Sequence, residues 1–240
     1  MKRFAAGLFA AGMVAASLPA YSMDVVNTFR VGASAGRYSG DATVDVFDTD
    51  GQTLLFSGGA KGVGLTWGVP IGYTLTLGNF YGDLGLETLW VEQQDPTNRT
   101  DLLLTLGYYI TDNWTVFAGL RRGWQGEGRR PFHQDDFNEL GPYVGFGYGG
   151  IPLGKAVLLN IAAAYNFDRI RNFFQTEKDF DYPGVSLRLG LNMKGTPHSV
   201  QLRVQRFSGD DRFVFSDGSA LNVELKEWWA VMSYVYSIGW

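Results

Sequence analysis

The chain has 240 residues, no cysteine and a formal charge of −4. That length allows one large domain or two small ones, and the missing cysteines exclude a disulfide scaffold, a thiolate metal site and a lipid-anchored N-terminal cysteine. Aromatic residues make up 15%, glycine occurs 32 times and mean hydropathy is −0.07, an average that results when strands carry one apolar and one polar face.

The first segment reads as a secretory signal. Lys2 and Arg3 form a charged start, Phe4 to Leu18 is apolar and small, and Ala20-Tyr21-Ser22 fits a small-x-small cleavage site. Residues 1–22 are therefore expected to be removed, leaving 23–240 as a single domain. The apolar run is too short, and too close to Pro19, for a spanning helix. Removing two basic residues from 20 leaves 18 against 24 acidic ones, and no basic run points to nucleic acid.

Period-two alternation dominates the rest. The first expected strand, about Thr28–Tyr38, puts Phe29, Val31, Ala33 and Ala35 on one face. The second, about Lys61–Leu75, aligns Val63, Leu65, Trp67, Val69, Ile71 and Tyr73. The third (Phe80–Val91) aligns Leu84, Leu86 and Trp90; the fourth (Leu102–Ile110) Leu102, Leu104, Leu106 and Tyr108; the fifth (Trp114–Trp124) Trp114, Val116, Ala118 and Leu120. The sixth (Glu139–Tyr148) shows Leu140, Val144, Phe146 and Tyr148, and the seventh (Ala156–Phe167) Val157, Leu159, Ile161, Ala163 and Tyr165. The eighth and ninth, Gly184–Met193 and Ser199–Gln205, alternate strictly, and the tenth runs from Trp228 to Trp240.

Connections alternate in length. Short ones fall near 77–79, 111–113, 150–154 and 195–198; long ones span about 39–56, 92–100, 125–138, 168–181 and 207–226. Two long ones read as hairpins turning at Asp50-Gly51 and Asp217-Gly218, extending strands above a membrane. Short turns on one side and long loops on the other is the layout of a transmembrane antiparallel up-and-down β-barrel, an all-β fold. Ten strands fit the length best, with eight or twelve as alternatives. A secreted β-sandwich or lipocalin-like barrel would instead turn the apolar faces inward. Aromatic residues near the strand ends and small residues on the other face favour the membrane barrel.

The alternating last strand, with Tyr234, Tyr236, Ile238 and Trp240, resembles the C-terminal signal of Gram-negative outer-membrane β-barrel proteins. The resemblance implies an outer-membrane location among lipid and lipopolysaccharide, delivery by periplasmic chaperones and insertion by the barrel assembly machinery. It implies no particular activity.

With the apolar faces in lipid, the lumen receives Arg30, Asp83, Glu87, Arg121, Glu139, Asn160, Arg188, Gln201, Arg203 and Gln205. Charges so placed must be solvated or paired. Arg188 and Arg203 lie on neighbouring strands, and Glu87 and Glu139 are the expected anions opposite them. At ten strands the bore is narrow, which favours a salt-bridge plug over a solute filter. Luminal glycines at 62, 64, 68, 145, 147 and 149 either make room for bulky neighbours such as Phe117 and Tyr143 or leave a slot for a small solute.

Omptin-type proteases are also ten-stranded and use acidic residues with a histidine at the outer rim. The loop ingredients here are His133, Asp135, Asp136, Asp210 and Asp211. His198-Ser199 cannot form a dyad, because adjacent strand residues face opposite ways. Asp48-Thr49-Asp50-Gly51 fails the calcium-loop pattern and reads as a turn. Asn98-Arg99-Thr100 matches a glycosylation acceptor that carries no weight in a bacterial barrel. Arg121, Arg122, Arg129 and Arg130 cluster near the third loop, where Arg122 faces outward, either to meet lipopolysaccharide phosphates or as part of a solvated rim. The expectation is a non-enzymatic envelope protein without metal or cofactor, with a narrow channel and a loop-borne hydrolase as alternatives.

Overall fold

The computed structural model describes residues 25–92, 97–127, 137–171 and 179–240. The signal segment, His133, Asp135, Asp136, Arg129 and Arg130 lie outside the described residues. Twelve strands run in chain order: β1 (Val25–Phe47), β2 (Leu54–Leu77), β3 (Phe80–Glu92), β4 (Thr97–Tyr109), β5 (Trp114–Glu127), β6 (Phe137–Leu153), β7 (Val157–Asn166), β8 (Arg169–Arg171), β9 (Phe180–Asp181), β10 (Gly184–Met193), β11 (His198–Val214) and β12 (Ala220–Gly239). All pairings are antiparallel. The order β5-β4-β3-β2-β1-β12-β11-β10-β7-β6 is closed by β5 against β6, so ten staves make the barrel.

The two extra strands prolong existing staves. β8 continues β7 along β6, and β9 pairs with β8 beyond the start of β10. The ladder is carried across the gap by Phe167 N donating to Pro142 O at 2.9 Å and Tyr182 N donating to Asp168 O at 2.8 Å. Pro183 has no N–H to donate, which explains the break before β10; its carbonyl still accepts from Ser208 N at 3.0 Å.

The faces fall as the alternation expects. Leu65, Leu106 and Phe146 point out of the barrel and are 70%, 54% and 55% exposed, whereas Ser34, Glu87, Arg121, Arg203 and Ser233 are buried inside. A soluble barrel would reverse this arrangement, so the outer face is a lipid-facing surface. Aromatics edge it: Trp67 stacks on Trp90 with centroids 4.4 Å apart near one rim, and Trp114 meets Tyr148 edge-on at 4.8 Å near the other.

Several strands run further than expected. β1, β2, β11 and β12 rise together as a four-stranded wall, with β1 paired to β12 as far as Phe47↔Ala220. The hairpins turn as expected, with positive φ at Gly51 (66°) and Gly218 (90°), values that favour glycine. In the first turn the Asp50 carboxylate accepts from Gln52 N and Thr53 N, each at 2.8 Å, and from Thr53 Oγ1 at 2.6 Å. The Thr53 hydroxyl, then the Thr53 and Gln52 amides, lower its pKa to about 2. These bonds replace the ligand role that a calcium loop would need. Gly150 is not a turn residue: it sits at an irregularity in β6, its N–H taken by Asn160 Oδ1 at 2.9 Å, and the turn begins at Gly154.

Where the first and last strands meet, β12 lies between β1 and β11. Asn27 and Trp240 exchange both backbone hydrogen bonds, at 3.0 and 3.1 Å. Tyr234, Tyr236, Ile238 and Trp240 all face outward, and Trp240 is 66% exposed. The last residue of the chain is thus paired in the sheet with its side chain turned to lipid.

Candidate functional site

The centre of the lumen is built around Arg99 and Arg121, on neighbouring strands β4 and β5. Arg99 spreads its guanidinium over three carboxylates: Nη2 to Glu139 at 2.6 Å, Nη1 to Glu227 at 3.0 Å and Nε to Asp101 at 3.2 Å. Arg121 reaches Asp101 at 2.9 Å, Glu139 at 3.0 Å and, through Nη1, Asp168. Asp101 and Glu139 therefore bridge two cations, which is the geometry that holds a buried network together. Both guanidiniums are capped by rings. Phe207 lies 4.5 Å from Arg121 and 5.4 Å from Arg99, and Trp229 lies 5.2 Å from Arg99. Trp229 Nε1 and the Tyr38 hydroxyl each donate to Glu227, at 3.2 and 3.3 Å.

This layer fills the bore. Arg99 is 2% exposed, Arg121 1% and Phe207 0%. Leu89, Val91, Ile170, Phe180, Tyr182 and Val231 pack into the same core. Ile170, Phe180 and Tyr182 come from the β8–β9 segment, which brings an apolar lining to the outer lumen.

Below it lie two simpler pairs. Arg203 is ion-paired with Glu87, which also accepts from Ser34 Oγ at 2.9 Å. Arg30 is ion-paired with Asp83. Arg188 stands opposite Arg203 in the β10–β11 register, yet it makes no hydrogen bond or ion pair among the described residues. Gln201, Arg203, Gln205, Arg188, Arg30 and Asp83 line a cavity of about 530 Å³ that reaches the short turns at Asp112 and Asn113. A smaller cavity of about 190 Å³ lies on the far side of the plug, between Tyr38, Tyr182, Glu139, Glu227 and the base of the strand wall.

Of the ten polar residues expected in the lumen, Arg30, Asp83, Asn160, Arg188, Gln201, Arg203 and Gln205 line the larger cavity and Glu87, Arg121 and Glu139 are buried, in different company from that expected. Glu87 meets Arg203 as anticipated. Glu139, expected opposite Arg188 and Arg203, belongs instead to the Arg99–Arg121 layer. Arg121 is buried in the bore, and its neighbour Arg122 lies outside over Trp124 at 4.8 Å. Gly145 gives way to the Phe117 ring and Gly119 to the Tyr143 ring, so at these positions small residues accommodate bulky ones.

Arg99, Asp101, Asp168, Glu227, Phe207 and Trp229 were not expected at the centre. Arg99 lay in the supposed 92–100 loop, and Asp168, Phe207 and Glu227 at the edges of loops. One signal was available: Arg99 and Asp101 keep the parity of the inward face of β4, two residues apart.

His198 and Ser199 diverge as expected. Nδ1 of His198 contacts the outward Tyr234 hydroxyl at 2.5 Å, while Ser199 is buried on the inner face. Among the described residues no group of three or more His, Cys, Asp or Glu side chains is placed to hold a metal ion.

No protein-family model matches the chain, and no curated protein matches it in sequence. Among solved structures, the outer membrane protease OmpT of Escherichia coli is similar over 92% of this chain and 99% of its own, with 12% identity and a TM-score of 0.51. The fold is that of the Gram-negative outer-membrane β-barrels. OprG of Pseudomonas aeruginosa also aligns, with 11% identity, a TM-score of 0.38 and coverage of 88% and 95%. So does the toluene transporter TodX of P. putida, at 10%, 0.34, 88% and 90%. An outer-membrane barrel has lipid and lipopolysaccharide around its apolar band, and the outward Trp67, Trp90 and Trp124 sit where that band meets the outer rim.

Proposed function

We propose that the chain is a non-enzymatic envelope barrel, stoppered by its own ion-pair layer, that acts through surfaces on either side of the stopper. The observation that carries this reading is the burial of Arg99 and Arg121 across the bore, each held by several carboxylates and capped by Phe207. Ions need a hydrated path, and a layer closed by paired charges and rings offers none. The four outer carboxyl groups are each engaged by a guanidinium, which favours a structural role for them over that of a water-activating base.

On the outside, Arg122 over Trp124 supplies a cation beside an interfacial ring, suited to a lipopolysaccharide phosphate. At the other end, the outward aromatics of β12 serve as the assembly signal, read by periplasmic chaperones and the barrel assembly machinery. Single-channel recording in a planar bilayer tests the stopper. Folded, heat-modifiable wild-type protein should be electrically silent. Stable, reproducible steps would overturn the reading in favour of a narrow channel.

A further inference from the structure

The inner cavity holds a guanidinium that makes no hydrogen bond or ion pair among the described residues. Three guanidiniums line it: Arg30, Arg188 and Arg203. Arg30 is matched by Asp83, which also takes Thr74 Oγ1 at 2.5 Å, and Arg203 is matched by Glu87. Arg188 is left over, beside Arg203 in register and with its side chain open to the cavity. Two like charges on adjacent strands repel, and the repulsion is relieved by an anion between them. A second sign of the same kind is Arg203 Nε, which is buried and finds no acceptor among the described residues; Arg30 Nε is likewise unmatched there.

The rest of the cavity is suited to a small organic molecule. Its volume of about 530 Å³ falls in the usual range for such sites. Tyr81 and Tyr109 pack at 5.3 Å and Phe117 and Tyr143 at 6.4 Å, giving ring faces and edges. The cavity lining runs from Gln205 and Arg203 to the short-turn end at Asp112 and Asn113, so a ligand enters from the periplasmic side. Around Arg188 three guanidiniums face the Asp83 and Glu87 carboxylates, and Asp112 stands at the short-turn mouth, so a monoanion is matched beside Arg188 and a dianion is not.

We propose that this cavity is a binding site for a small aromatic or short-chain monocarboxylate taken from the periplasm, with Arg188 as the recognising cation. The carboxylate lies against Arg188 and the free N–H of Arg203, and the apolar part lies among the tyrosine and phenylalanine rings. Arg suits this task because its planar fork matches both carboxylate oxygens.

Benzoate is the probe and benzamide its neutral counterpart, titrated calorimetrically into full-length refolded barrel in nonionic micelles. Benzoate should bind saturably and benzamide should not. Arg188→Gln should weaken benzoate at least ~10-fold, the usual loss for a charge-assisted hydrogen bond. Gly190 offers a second variant: a Cβ there meets no atom closer than 3.9 Å, so Gly190→Phe can enter the cavity without a backbone clash and should also abolish binding. Both variants are checked for heat-modifiable migration. Absent or non-saturable benzoate binding to the wild type, equal binding of benzamide, or unchanged affinity in either folded variant overturns the proposal. The wild-type comparison decides even if a variant fails to fold. The result is separable from the stopper, because binding is read at equilibrium and a conducting barrel would be detected in the bilayer instead.

Discussion

Arg99 meets Asp101, Glu139 and Glu227 at once, so removing it leaves Glu227 without its guanidinium and Asp101 and Glu139 with Arg121 alone, in a space closed to solvent. Arg99→Met keeps the length of the stem and the contact with Trp229 but deletes the charge. It should lower the unfolding free energy by ~3–5 kcal/mol, the range found when one partner of a buried ion pair is removed. Urea unfolding of the refolded barrel, followed by tryptophan fluorescence, measures it; a loss below ~1 kcal/mol would mean that the layer fills space without binding the barrel together. The sequence hid this residue for a physical reason. Asn98-Arg99-Thr100-Asp101 shows no apolar alternation, because its outward members Asn98 and Thr100 are polar and lie opposite Trp90 and Trp124 in the sheet. Alternation reveals a strand only where one face meets lipid and the other does not.

Individual elements were legible to different degrees. β10 is bounded by Gly184 and Met193, as its alternation requires, and the Asp50-Gly51 and Asp217-Gly218 hairpins follow from turn chemistry alone. β8 and β9 were not legible, because three and two residues are too short to show a period. Their place is set by the neighbouring β6 and by parity carried through the break at Pro183.

In the β1–β2 turn, Asp50 makes its bonds only as a carboxylate, so its folded pKa of about 2 lies below the ordinary ~3.9. The turn's contribution is therefore complete above about pH 4 and is lost as pH falls through about 2. An NMR titration should find the Asp50 carboxyl midpoint near 2, and Thr53→Val should move it upward towards the ordinary value. For β12, the two backbone bonds between Trp240 and Asn27 contribute only ~1 kcal/mol each. A barrel lacking Trp240 should thus refold in micelles with nearly wild-type stability yet reach the outer membrane in reduced amount, as read by the heat-modifiable band in membrane fractions. Undiminished insertion would leave Trp240 a structural residue and no signal.

At the scale of the whole molecule, sequence period decides which side of each strand meets lipid, and closure of β5 on β6 turns ten such faces into one apolar band around a polar bore. It does not decide which luminal charges meet, because that depends on the stagger of strands far apart in sequence: Arg99 and Glu227 are 128 residues apart. The result is a bore divided by height, with carboxyl-rich pairing and rings above and an unmatched guanidinium below. If the rings and the ion pairs close the bore jointly, removing the rings alone should open it. Phe207→Ala with Trp229→Ala takes away the two caps over Arg99 and Arg121 while leaving every charge in place. This double variant should give small conducting steps in a planar bilayer where the wild type is silent. The four outer carboxyl groups outnumber the two guanidiniums there, so the steps should favour cations in a salt gradient. A double variant that folds, stays silent and keeps its heat-modifiable migration would show that the Arg99–Arg121 ion pairs suffice to close the bore, with the rings contributing stability alone.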